Sequence, residues 1–346
     1  MNKLQNIQAL RGVAVLVVVF FHLVIIEKKY GGDSSVLPEF LQFGMFGVDL
    51  FFVISGFVMV TVTRGKFQSL NKSLLFLYHR ISRIYPLYWV YTTVALIVFL
   101  VQPSWVNSSL GNQVNILTSY LLLPDKLLPL VQVGWTLIHE IYFYLVFFVI
   151  MLLLPEKLLA IAILVWGAVI VIFSTPTVNP YYRLIFNPLT MEFLAGCLLA
   201  VHYHNTSNLK VHGKGLVVIA GIGMIAAVLG YVYYESQTGI APDSWQRLPY
   251  YAIPATIIVF CITHAERNGV VLPDALIKSG NASYSIYLSQ LFTINVVGRI
   301  WSLFAVESII DNIIVLILAF ILVLIVGFIS YWYVETPLLK LSRKFA

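Results

Sequence analysis

Ten apolar runs, each about as long as a bilayer is thick, constrain this chain more than any motif. They lie at 10–26, 43–62, 84–101, 133–153, 157–174, 184–202, 215–234, 249–264, 282–303 and 312–333. A helix needs about 20 mostly apolar residues to cross the hydrocarbon core. Lipid offers no partner to backbone N–H and C=O groups, so each run must satisfy them within its own helix. The predicted fold is therefore an all-α polytopic membrane protein with about ten transmembrane helices. Composition agrees: 60% of the residues are hydrophobic and 10% charged, against roughly 25% charged in a soluble domain. The segment 116–130 (ILTSYLLLPDKLLPL) is apolar but short, and Pro124 and Pro129 break it. It is expected to be re-entrant or interfacial; an eleventh span there would invert everything downstream. No stretch between runs is long enough to fold alone, so residues 1–346 are expected to form one membrane domain without a separate soluble one.

Charge placement orients the spans. With the N-terminus in the cytoplasm, fifteen Lys and Arg residues fall inside and six outside. The excess of inner cations predicts that both termini are cytoplasmic. The net charge of +6 then reflects loops facing anionic lipid. Nucleic acid is not an expected partner, because no segment can build a soluble basic face. Cys197 and Cys261 both sit in apolar runs and read as small buried hydrophobes, with no metal role.

Ionisable residues at membrane depth are costly and are functional candidates by default. At about 1.5 Å per residue, His22 lies roughly 16 Å beyond Arg11, in the outer half. Asp49, Glu140 and Glu192 enter their spans from the outside by a similar number of residues, so these four groups are expected at one depth. His139 adjoins Glu140, but successive helix positions point about 100° apart. A second layer gathers at the inner face. Arg80 and Arg83 (HRISR) share a helix face as an i, i+3 pair. Arg11 and Glu335 (YWYVETP) are expected level with them. Clustered guanidinium groups suit a multiply phosphorylated ligand.

Each of these residues also has a plainer reading. Arg80 and Arg83 would serve as anchors on lipid phosphate, and Glu335 as an ion-pair partner for one of them. His22 alone would be a packing residue, and Asp49 and Glu192 would tie helices together. Gly44, Gly47 and Gly56 read as close helix packing, and Tyr85, Tyr88 and Trp89 as an interfacial belt.

Two layers separated by the length of a coenzyme arm suggest one path. Coenzyme A carries phosphates at one end and a thioester on a slim arm of about 15–20 Å, which matches the depth set by helical rise. An imidazole at the far end can take the proton of an attacking hydroxyl, since its pKa lies near working pH. A carboxylate on its other nitrogen would fix the tautomer, with Glu140 and Asp49 as candidates. Alternatively, His22 would carry the acyl group covalently. The residues leave both routes open.

At this point the chain resembles the acyltransferase 3 family of membrane O-acyltransferases, particularly its branch that acetylates exopolysaccharide and O-antigen. The matching segments run in order along nearly the whole length: IQALRGVAVLVVVFFH (7–22), FGVDLFFVISGFVM (46–59), HRISRIYPLYW (79–89), VGWTLIHEIYFYLVF (133–147), NPLTMEFLAGCLLA (187–200), NASYSIYLSQ (281–290) and YWYVETP (331–337). The resemblance implies ten core spans and acetyl-CoA or another acyl-CoA as donor. It also implies a polysaccharide or lipid-linked sugar as acceptor, in a bacterial inner membrane. It places the functional arginine on Arg11, the essential histidine on His22, the paired arginines on Arg80 and Arg83, and an acid on Glu140. Asp49 and Tyr287 fall on further motif positions. Many members carry a histidine where this chain has Gln290, so a proton-transfer role there is not available. Nor does the chain show the soluble hydrolase-like domain that some relatives carry, so transfer is expected to finish within the membrane domain.

Two other classes compete with an acyltransferase. A transporter or flippase for a glycolipid or acyl anion would use the same intramembrane charges as a transport path, though no internal repeat of the kind common in transporters is visible. A non-catalytic subunit of a polysaccharide export complex would tolerate substitution at His22 and Glu140. The sugar, its hydroxyl, the choice of acetyl or succinyl, and the oligomeric state are not legible.

Overall fold

The computed structural model describes residues 4–32, 35–107, 111–206, 211–306 and 308–345. Among these residues every regular element is helical. The α-helices are α1 (Gln5–Tyr30), α2 (Phe46–Thr63), α3 (Leu70–Val101), α4 (Ile116–Leu121), α5 (Gly134–Leu153), α6 (Leu159–Phe173), α7 (Pro180–Ile185), α8 (Thr190–Asn205), α9 (Gly213–Thr238), α10 (Ile253–Arg267), α11 (Asp274–Asn281), α12 (Ser283–Phe304), α13 (Ile309–Ser330) and α14 (Thr336–Ser342). The bundle face where α1 begins is called proximal here, and the opposite face distal.

The chain is a multi-pass membrane protein. Nine helical segments among the described residues are long and apolar enough to cross a bilayer. The remaining expected span, 282–303, forms α12 but differs in character. Its Ser283, Ser285, Ser289 and Gln290 are fully buried, and α1 and α13 pack along it. A helix this polar is stable at membrane depth only when neighbouring helices cover it. The expected span 84–101 is the distal part of α3, a helix of 32 residues. At about 1.5 Å per residue it is roughly 48 Å long, well beyond a hydrocarbon core of about 30 Å. Arg80 and Arg83 therefore lie within a helix rather than at its start.

The segment 116–130 does not span. Asn115 caps α4 by accepting from the Thr118 N–H. The helix stops after six residues at Leu122, whose backbone is left-handed (φ 52°). The turn is pinned to α3 by Tyr88, whose hydroxyl donates to the Ser119 carbonyl at 2.7 Å. Ser119 Oγ in turn accepts from the Leu130 N–H at 3.0 Å. The backbone thus dips into the bundle and returns before α5 begins.

Small residues set the closest approach. A Cβ on Gly56 of α2 would stand 1.9 Å from the Phe193 carbonyl oxygen of α8, and one on Gly196 would stand 2.0 Å from that of Val53. This reciprocal pair lets the two backbones touch, the usual driver of helix association in lipid. At the proximal face Glu266 accepts from the Gln5 and Asn6 N–H groups at 2.8 and 2.9 Å. These are orphan donors at the start of α1. Two π-helical turns adjoin regular helices: Leu248–Ala252 leads into α10, and Tyr331–Glu335 joins α13 to α14. Such turns shift the side-chain register and occur often at functional sites.

Candidate active site

Arg11 of α1 and Arg80 and Arg83 of α3 line a single narrow cavity of about 90 Å³. Helix α2 supplies Ser55, α5 supplies Glu140, and α12 supplies Tyr284 and Tyr287. Arg80 and Arg83 share a face because their i, i+3 spacing turns them by only about 60°. Among the described residues no carboxylate lies within 4.0 Å of any of the three guanidinium groups. Arg80 Nε is buried and has no hydrogen-bond partner. Arg11 reaches only the Gln8 amide oxygen, at 3.4 Å. Three cations around one cavity, with one lining acid, Glu140, and no direct ion pair among the described residues, favour an anionic occupant.

Glu335 does not neutralise them. The π turn at Tyr331–Glu335 rotates it inward, where it is buried and accepts from the Ser285 hydroxyl at 2.5 Å. Its charge sits in the field of Arg83 and Arg11 without a direct ion pair among the described residues. A separate, wider vestibule of about 300 Å³ shares two of the arginines with this cavity. His79, Ser82 and Arg343 line it together with Arg80 and Arg83. The Tyr78 hydroxyl closes its edge by donating to the Ser342 carbonyl at 2.6 Å. Arg343 was not among the residues singled out from sequence. It stands in a terminal basic stretch, SRKF, that reads as ordinary inner-face charge.

Glu140 is placed differently from expectation. It lines the arginine cavity and accepts from Tyr144 and, at 3.3 Å, from Ser55. It does not pair with His22. The physical reason is the dip at 116–133. Helix α5 starts at Gly134, which packs on Tyr88 near the middle of α3 rather than at its distal end, so a count from the run's first residue puts Glu140 too far out. Tyr144 confirms the level, since its ring meets Phe76 of α3 at 6.5 Å.

His22 stands on α1 beside Gln290 of α12, one helical turn distal to Tyr287. Its Nδ1 is 3.0 Å from the Val18 carbonyl oxygen. A carbonyl only accepts, so Nδ1 carries the proton and Nε2 keeps its lone pair. A backbone carbonyl, rather than a carboxylate, therefore fixes the tautomer. Gln290 donates to the Tyr287 carbonyl at 3.2 Å. The Tyr287 hydroxyl, in turn, bonds Thr136 Oγ1 at 2.9 Å.

Asp49 also faces elsewhere. It forms a buried, two-pronged pair with Arg247, Nε to Oδ1 at 3.0 Å and Nη2 to Oδ2 at 2.5 Å. One step along α2 from the cavity-lining Val48 turns a side chain by about 100°, which takes Asp49 away from the cavity. Glu192 is fully buried against Asp49, and no N–H or hydroxyl donor of the protein reaches either of its oxygens. The four residues expected at one depth thus divide: Glu140 joins the arginines, Asp49 and Glu192 join Arg247, and His22 joins Gln290. Among the described residues no group of three His, Cys, Asp or Glu side chains could hold a metal ion.

The profile of an acyltransferase domain, acyltransferase 3, matches residues 4–332. The chain is also 29% identical over 273 residues to the exopolysaccharide production protein ExoZ of Rhizobium meliloti (strain 1021), covering 74% of this chain and 78% of that one. No solved structure gives a significant match.

Proposed function

Because this chain belongs to the acyltransferase 3 family, we propose that it moves an acyl group, acetyl in the first instance, from acyl-CoA to a hydroxyl of a cell-surface polysaccharide or lipid-linked sugar. The polysaccharide acceptor is supported by the similarity to a protein named for exopolysaccharide production. One observation carries the donor assignment: Arg11, Arg80 and Arg83 surround a slim cavity with no carboxylate within 4.0 Å among the described residues. The wider cavity with Arg343 and His79 has room for the nucleotide end, whose phosphates would meet Arg80 and Arg83 because these two line both cavities, and the uncharged arm would continue past Arg11 in the narrow one. The donor would reach in from the proximal face, read as cytoplasmic in a bacterial inner membrane from the inner excess of cations.

His22 lines neither cavity but stands beside Gln290, one turn of α12 from the cavity-lining Tyr287, and of its two possible roles we infer general base. The acceptor oxygen attacks the thioester carbonyl carbon, and its proton passes to His22 Nε2. The carbon–sulfur bond breaks, and the proton moves on to the departing thiolate, leaving an ester and a free thiol. The Val18 carbonyl keeps Nδ1 protonated throughout and steadies the transient imidazolium. Glu140 tunes the field around the arm through Tyr144 and Ser55.

The test uses purified protein in nanodiscs with labelled acetyl-CoA and the host's surface polysaccharide. General-base catalysis contributes about 10²–10⁴-fold, so His22→Ala should lose about that much transfer while still binding acetyl-CoA. A His22→Ala protein with full transfer activity would sink the reading.

A further inference from the structure

A second cleft, of about 170 Å³, opens beside the distal half of α12. Its polar lining is Trp105, Asn107, Gln132, Asn295 and Arg299, with Phe292 among the residues of its apolar floor. Three distant stretches build it: the turn after α3, the return of the re-entrant segment, and α12. Asn107 locks two of them together, its Nδ2 donating to the Leu128 and Pro129 carbonyls at 3.4 and 3.2 Å. Asn295 Nδ2 donates to the Leu291 carbonyl at 2.7 Å, which leaves its Oδ1 to accept. The Arg299 guanidinium carbon sits 4.3 Å from the Trp105 ring centre.

This lining differs in kind from the arginine cavity. It offers one cation, one indole and three amides, and no acid. Among the described residues no carboxylate lies within 4.0 Å of Arg299. Amides both donate and accept, as a ring of hydroxyls requires. An indole gives the C–H face of a pyranose an apolar wall, and a guanidinium fork matches a carboxylate.

The cleft also abuts the donor cavity. Thr136 and Tyr287 line the arginine cavity, while Gln132 and Leu291, each four residues further toward the distal face, line the cleft. The bond between Tyr287 and Thr136, 2.9 Å long, stands at the boundary. From Ser283, in the donor cavity, to Arg299 is sixteen residues of α12, about 24 Å along the helix.

We propose that the distal cleft is the acceptor subsite and that it takes an acidic sugar residue, its ring against Trp105, its hydroxyls on the amides and its carboxylate on Arg299. This rests on reading the acceptor as a carbohydrate, but its test needs no acyl transfer.

The experiment measures binding of cellobiouronic acid and of neutral cellobiose to the protein in phosphatidylcholine nanodiscs without donor. The uronic acid should bind at least tenfold tighter than cellobiose. Arg299→Gln should erase that difference, and Trp105→Ala and Gln132→Ala should weaken both sugars several-fold. Acetyl-CoA binding and the melting temperature serve as controls and should not move. Equal binding of both sugars by all variants overturns the proposal. So does loss of sugar binding on adding phosphatidylglycerol, which would make the cleft a lipid-headgroup site. If His22→Ala keeps full transfer while sugar binding follows the pattern above, the catalytic reading falls and the subsite stands.

Discussion

Asp49 and Arg247, 198 residues apart, meet through two hydrogen bonds with side chains 0% and 6% exposed. Removing one partner of a buried pair leaves the other charge uncompensated and costs about 3–5 kcal/mol. Asp49→Ala should therefore lower the melting temperature in detergent and cut the folded yield. Pairing it with Arg247→Met should recover much of the loss. A single mutant as stable as wild type would show that Arg247 finds water or Glu192 instead.

Arg83 faces the donor cavity without a carboxylate partner. A hydrogen bond to a charged group contributes about 1.5–3 kcal/mol, or roughly 10- to 100-fold in affinity. Arg83→Ala should raise the KM for acyl-CoA by about that factor and leave the KM for the sugar unchanged. Arg343→Ala, at the wider vestibule, should raise the donor KM by a smaller factor. An unchanged donor KM in both would assign these residues to lipid anchoring.

The Tyr287 hydroxyl holds the boundary between the two cavities through neutral bonds, to Thr136 Oγ1 at 2.9 Å and to the Val133 carbonyl at 3.3 Å. Such a bond contributes about 0.5–1.5 kcal/mol. Tyr287→Phe should slow transfer roughly threefold to tenfold, and acetyl-CoA hydrolysis should rise relative to transfer as water reaches the thioester. Both rates come from one labelled-donor assay that separates free acetate from sugar ester.

Gly56 has no room for a methyl group, since a Cβ would stand 1.9 Å from the Phe193 carbonyl oxygen. That atom is backbone and cannot rotate away, so Gly56→Ala should force α2 from α8 and yield aggregated protein on size exclusion. Gly221→Ala in α9, where a Cβ meets nothing within 4 Å, should elute like wild type.

The layer of inner arginines was legible because it depends on local facts. Arg80 and Arg83 share a face through their spacing alone, and helical rise from the first apolar residue of α1 sets the level of Arg11. The depth of Glu140 was not, because counting residues gives depth only when the starting level is known. The re-entrant turn at 116–130 lowered that level for α5. The pairing of Asp49 was hidden for another reason. Depth says nothing about azimuth, and Arg247 reads as a loop charge until the π turn at Leu248–Ala252 carries the chain into the bundle. Arg299 and Trp105 belong to different distal ends in sequence, and neither carries a pattern that points to the other.

Hydropathy set the solvent, the helical class and the spans, and the cost of charge in lipid singled out the ionisable candidates, because both act on each residue however the helices pack. Tertiary structure decided which ionisable groups meet. It drew Glu140 to the arginines, gave Asp49 to Arg247, and left His22 with a backbone carbonyl and Gln290. These are choices of helix rotation and starting depth, which small residues such as Gly56 and Gly196 and the re-entrant turn impose only once the helices have packed.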